Sequence, residues 1–143
     1  METITVKTIS TYKNGGERAE QNLAYTLLGE VRSHNALPFD KGSDIPEYHM
    51  SVKSSHFTLV SGRLMTATTL EGQINEYMAR TASKKFAYVS DENIAYMMTA
   101  TEFKAFLMAF ARFEKDSTKN GGCYKVRFPR ETRKVLEWLA QRV

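Results

Sequence analysis

The stretch Asp44-Ile45-Pro46-Glu47-Tyr48-His49-Met50-Ser51-Val52-Lys53 carries the most structural information in this chain. Side chains alternate along a strand. Met50 and Val52 therefore share an apolar, core-side face, and Ser51 and Lys53 share the other. Asp44 stands at the mouth of this strand, between Gly42 and Pro46, which fix the direction of the chain. Tyr48 to Lys53 and His56 to Ser61 are expected to be two strands joined tightly at Ser54-Ser55, the second with Phe57 and Leu59 on one face.

Upstream, Ala19, Leu23, Ala24, Leu27, Leu28 and Val31 form the stripe of an amphipathic helix over residues 16–31. At about 100° per residue, Glu20 falls in the middle of that stripe. A carboxylate aimed at a core is costly unless a cation or a metal meets it. Glu17 lies at the stripe's edge, where solvation is easier. Asp44 and Lys53 taken singly are ordinary surface residues. Their common placement with Glu20 is what singles them out.

Downstream, Thr68-x-x-Glu71 and Thr99-x-x-Glu102 are capping boxes opening two helices. Phe86 to Val89 and Ile94 to Met98 are strand-like, with Ser90-Asp91-Glu92-Asn93 as the turn. Lys115 to Gly122 is expected to be a loop, and Tyr124, Val126 and Phe128 alternate as a strand. Pro129 starts a last helix carrying Val135, Leu136, Leu139 and Val143. Interleaved helices and strands, with some strands joined directly, predict an α/β (α+β) fold: one mixed sheet flanked by helices, in a single domain over residues 1–143.

A helix bearing Glu20, Asp44 entering a strand, and Lys53 on that strand together resemble the PD-(D/E)XK nuclease superfamily, whose restriction and mismatch-repair members come nearest in motif. The resemblance covers about residues 16–62. It implies a restriction-endonuclease-like core, Mg²⁺ as cofactor and double-stranded DNA as substrate. Asp44, Lys53 and Glu20 take the catalytic positions. Asp44, Glu20 and the Val52 carbonyl take the metal positions, hard cations accepting carbonyl oxygen. The chain departs at Ser51, which stands where the family has its second acid. A hydroxyl does not replace a carboxylate's charge. Glu20, or less easily Glu47, then supplies that charge, or the domain binds without cutting.

The chemistry explains such an assembly. Phosphodiester hydrolysis needs an activated water and neutralisation of charge at phosphorus. A carboxylate-held divalent metal supplies Lewis acidity. A lysine beside the phosphate meets the developing negative charge.

Composition agrees with a globular chain. Of 143 residues, 42% are hydrophobic and 25% charged, which argues against disorder. No apolar run approaches the ~18–20 residues of a membrane span. His34, His49 and His56 lack zinc-ligand spacing, and neither GxxxxGK[ST] nor GxSxG occurs. Cys123 is the only cysteine, so an internal disulfide is impossible and a cytoplasmic setting is expected. The net charge of +4 is uneven: residues 1–111 carry −1 and residues 112–143 carry +5. Arg127, Arg130, Arg133 and Lys134 cluster there as the expected DNA-binding residues. A chain this short leaves little length for recognition, so a homodimer gripping the duplex is expected. Two other functions compete: a non-catalytic DNA-binding or assembly protein on the same fold, and a protein-binding module using its basic last helix.

Overall fold

The computed structural model describes residues 1–11, 13, 15–30, 43–54, 56–58, 67, 69–111, 114–116, 123–127 and 132–141. Four strands form a mixed sheet. β1 (Glu2–Thr5) pairs antiparallel with β5 (Ile94–Thr99), β5 antiparallel with β4 (Lys85–Val89), and β4 parallel with β2 (Met50–Lys53). The order is β1-β5-β4-β2, so β2 ends this sheet. Parallel neighbours need a crossover, and α2 (Leu70–Arg80) lies in the one between β2 and β4.

Alternation explains how the sheet is covered on both faces. Ala87, Val89 and Ala95 pack with Met50, Ile45 and the inner stripe of α1 (Gly15–Leu28): Ala19, Leu23 and Ala24. Phe86, Tyr88, Tyr96 and Met98 point the other way. They pack on Ile74 and Tyr77 of α2 and on Phe103, Phe106 and Leu107 of α3 (Ala100–Phe110). Phe86 stacks on Phe103 with ring centroids 4.3 Å apart. α4 (Thr132–Ala140) joins this second layer through buried Val135 and through Trp138, whose ring meets Phe106 edge-on at 5.6 Å.

Local chemistry sets the element ends. The Thr99 hydroxyl accepts the Glu102 N–H, and Glu102 accepts the Thr99 N–H, the expected capping box. At α2 the cap is Thr69, one residue beyond the Thr68 expected, and it accepts the Gly72 N–H. Gly29 ends α1 with φ 72, a left-handed conformation that glycine takes at no steric cost. The helix stops there, three residues short of Val31, which lies outside the described residues. The hairpin between β4 and β5 turns at Ser90 to Asn93 as the sequence suggests, with Asn93 at φ 59.

Three expectations need correction. β2 and β3 (His56–Thr58) do not pair with each other: β3 joins β7 (Cys123–Arg127) in a second sheet of order β3-β7-β6. β6 (Glu114–Asp116) is a strand where Lys115 to Gly122 was expected to be loop; its polar sequence Glu-Lys-Asp has no apolar alternation to reveal it. The expected first strand over Thr3 to Ile9 ends at Thr5, because Ile9 and Ser10 give their N–H groups to the Asn22 side chain of α1.

Candidate functional site

Asp44 is placed by a very short hairpin. Ile45 and Met50 exchange both backbone bonds, Ile45 N–H to Met50 at 3.0 Å and Met50 N–H to Ile45 at 3.2 Å. Between them Pro46–Tyr48 makes one 3-10 turn, and His49 reverses the chain in the left-handed region at φ 49. Ile45 and Met50 are buried and pin this hairpin to the α1 layer. Asp44 is thereby laid beside β2, where its Oδ2 accepts the Val52 N–H at 2.7 Å. Within a strand a residue's N–H and C=O point to the same flank. The Val52 carbonyl therefore also faces the flank that Asp44 occupies, away from β4.

Glu20 arrives from α1. The helix is held over the sheet by Asn22, whose buried Oδ1 accepts Ile9 N–H at 2.9 Å and Ser10 N–H at 2.8 Å. Lys7 N–H adds a bond to Thr26 Oγ1 at 2.9 Å. Glu20 follows buried Ala19 and precedes Leu23 by three positions, so its carboxyl sits half-buried at the edge of the core. Burial pushes that carboxyl up to about 7. The negative charges of Asp44 and then Glu17 push the same way, and the Lys53 ammonium opposes them.

Lys53 lies on the face of β2 that it shares with Ser51, the side of Phe86 and Tyr88. Its ammonium stands 5.5 Å from the centre of the Tyr77 ring of α2, within cation–π range. Glu20 thus comes from one layer and Lys53 from the other, and β2 is the last strand of this sheet between them. The structure brings Glu20 within electrostatic reach of both Asp44 and Lys53, with Val52 beside Asp44.

Ser51 is buried and turns away from water. Its hydroxyl lies 2.6 Å from that of Ser83, which lies 3.1 Å from that of Ser43. Sequence reasoning missed Ser83 and Tyr77. A serine in a polar connection carries no periodic signal, and Tyr77 is indistinguishable from core in the helix stripe.

Of the four basic residues expected to meet DNA, Arg127 ends β7, Arg133 lies in α4, and Lys134 is exposed on α4. Arg130 lies outside the described residues. Among the described residues no group of three or more His, Cys, Asp or Glu is gathered as a metal cage. No described helix is long and apolar enough to cross a membrane. No family model matches the chain, and neither a curated protein nor a solved structure matches it.

Proposed function

We propose that Glu20, Asp44 and Lys53 form a Mg²⁺-dependent phosphodiester-cleaving site and that the chain is a DNA endonuclease of restriction or repair type. One observation carries the reading: Asp44, fixed on the β2 flank by the Val52 N–H, and Glu20, a half-buried carboxyl from a distant segment raised by burial and then by the Asp44 charge, come together with Lys53 in reach of Glu20. Folding tolerates such a pair at a cost in stability, and functional sites are where that cost is commonly met.

The donor set suits a hard dication. Two carboxylates and the Val52 carbonyl offer only oxygen, and Mg²⁺ ordinarily keeps several waters in addition to one or two carboxylates. When bound, Mg²⁺ supplies Lewis acidity toward the phosphate. The chain's own groups do the rest. Asp44, fixed through Oδ2 by Val52, holds its carboxylate on the β2 flank, and Glu20 comes within its electrostatic reach from the docked α1. The Lys53 ammonium donates to a non-bridging phosphate oxygen and meets the charge that grows there as water adds to phosphorus and the P–O ester bond breaks.

Double-stranded DNA as substrate, a homodimer as the working form and a cytoplasmic setting belong to the same proposal. The net +5 of residues 112–143 supports DNA, the single cysteine a cytoplasmic setting, and the short chain a homodimer. Incubation of plasmid DNA with Mg²⁺, Mn²⁺ or EDTA tests it. Cleavage is expected with either metal and none with EDTA, and Lys53→Ala should lose turnover while keeping DNA binding. Absence of cleavage under all metals would reject the endonuclease.

A second reading has its own support. Ser51, in the position of the resembled family's second acid, is bonded to Ser83. A DNA-binding protein without catalysis would retain DNA equally in EDTA, with strong salt dependence.

A further inference from the structure

Ser43, Ser51 and Ser83 come from three separate segments: the residue before Asp44, the strand β2, and the connection from α2 to β4. All three are buried. Ser83 is the middle member, 2.6 Å from Ser51 and 3.1 Å from Ser43, and its own N–H donates to Thr81 Oγ1 at 3.3 Å. Immediately after it, the N–H groups of Lys84 and Lys85 both donate to the His49 carbonyl, at 2.9 and 3.1 Å. The segment from Ser83 to Lys85 therefore grips the Asp44 hairpin twice. It holds the turn at His49 and it ties the open end, where Ser43 and Ser51 both meet Ser83. Asp44 stands between the two grips.

A hydroxyl both donates and accepts. One serine can thus bridge two others, which an alanine cannot do. We propose that Ser83 is the positioning residue of the site: by bridging Ser43 and Ser51 it sets where the Asp44 carboxylate stands on the β2 flank. The inference rests on the reading of Asp44 as a ligand of a divalent cation. It also gives position 51 a role, since the serine there locks the hairpin that carries Asp44.

The test is Ser83→Ala, with Ser83→Thr as the variant that returns the hydroxyl. Ser83→Ala is expected to fold and to bind Mg²⁺ roughly tenfold more weakly by calorimetry, the scale found for groups that orient metal ligands. Exchange of the Val52 amide, which is bonded to Asp44, should quicken, while the Phe86 and Tyr96 amides keep their protection. Ser83→Thr should restore both. If Ser83→Ala keeps wild-type Mg²⁺ affinity and Val52 exchange, or loosens Phe86 and Tyr96 alike, the positioning role is overturned and the cation reading stands. If the wild-type protein binds no Mg²⁺, the cation reading falls, and Val52 exchange in Ser83→Ala still decides whether Ser83 places Asp44.

Discussion

Asp44 accepts the Val52 backbone N–H through Oδ2 at 2.7 Å, so the carboxylate expected to hold a metal also completes the flank of β2. From sequence, Asp44 is a loop-edge residue with little part in stability, and its removal should leave the fold untouched. The bond changes that expectation. Asp44→Ala strands a partly buried N–H and should cost about 1–2 kcal/mol. Asp44→Asn keeps an acceptor for Val52 and loses only the charge. Urea melts should show the alanine variant weakened and the asparagine variant close to wild type, with cleavage lost in both. Equal stability of the two variants would mean that the Val52 bond contributes nothing.

Glu20 gives a pH prediction. Its carboxyl, near 4.5 in the unfolded chain, is pushed up to about 7 in the fold by burial first and then by Asp44 and Glu17. Below the unfolded value both states are protonated and the shift has no effect. Between about 4.5 and about 7 the folded state binds more protons, so stability falls as pH rises; above the folded value the loss is constant. Glu20→Gln should therefore be more stable than wild type at pH 8, by about 1–2 kcal/mol after allowing for solvent screening of a half-buried group. It should differ little at pH 4. Mg²⁺ should raise the wild-type melting temperature at pH 8 and leave that of Glu20→Gln unmoved. A variant less stable than wild type at pH 8 would show that Glu20 is a net stabilising partner.

Ser51→Glu probes the departure from the family pattern. On sequence alone the change either restores a lost acid and raises activity, or crowds a carboxylate that has taken its place. The structure points to harm by a different route. Ser51 is 3% exposed and its hydroxyl is 2.6 Å from that of Ser83, so a glutamate enters a closed space. An ionised carboxylate there lacks water and costs several kcal/mol. The variant should melt well below wild type at pH 8, recover part of the difference at pH 5, and not gain Mg²⁺ affinity. Tighter Mg²⁺ binding by Ser51→Glu would show that the side chain reaches the Asp44 flank after all.

The parts of this fold set by periodic burial were legible. The helix stripe of α1, the alternation of β4 and β5 and the Thr99 cap all follow from spacing that the structure keeps. The pairing of β3 was not legible, because Phe57 alternation is satisfied by any partner strand, and β7 supplies one far away in the sequence. Near the proposed site, the middle position of Glu20 in its stripe correctly signalled a half-buried carboxyl, which burial and then Asp44 and Glu17 raise. The orientation of Ser51 was not. Alternation places it on the face of Lys53, but only the connection after α2 reveals that Ser83 meets it there.

The last helix allows the basic surface to be tested without touching the core. In α4 the inward residues are Val135, 1% exposed, and Trp138, which packs on Phe106 and Phe110 at 5.6 Å each. Leu139 packs on the same cluster. Lys134 is exposed, and Arg133 precedes it in the helix. Exposed helix substitutions that spare such packing change stability by roughly ±0.5 kcal/mol or less. Lys134→Gln should therefore melt as wild type does, and Arg133→Gln is combined with it for the binding test. If both cations meet phosphates, each phosphate deprived of its cation lowers the slope of log affinity against log salt by about 0.9, so the pair should lower it by about 2. Binding to a catalytically silent complex, with Ca²⁺ in place of Mg²⁺, reads this slope directly. Sedimentation of the same variant should still give about twice 16.3 kDa if the homodimer forms elsewhere on the surface. An unchanged slope would remove Arg133 and Lys134 from the DNA surface and leave the charge of residues 112–143 as a solvated face.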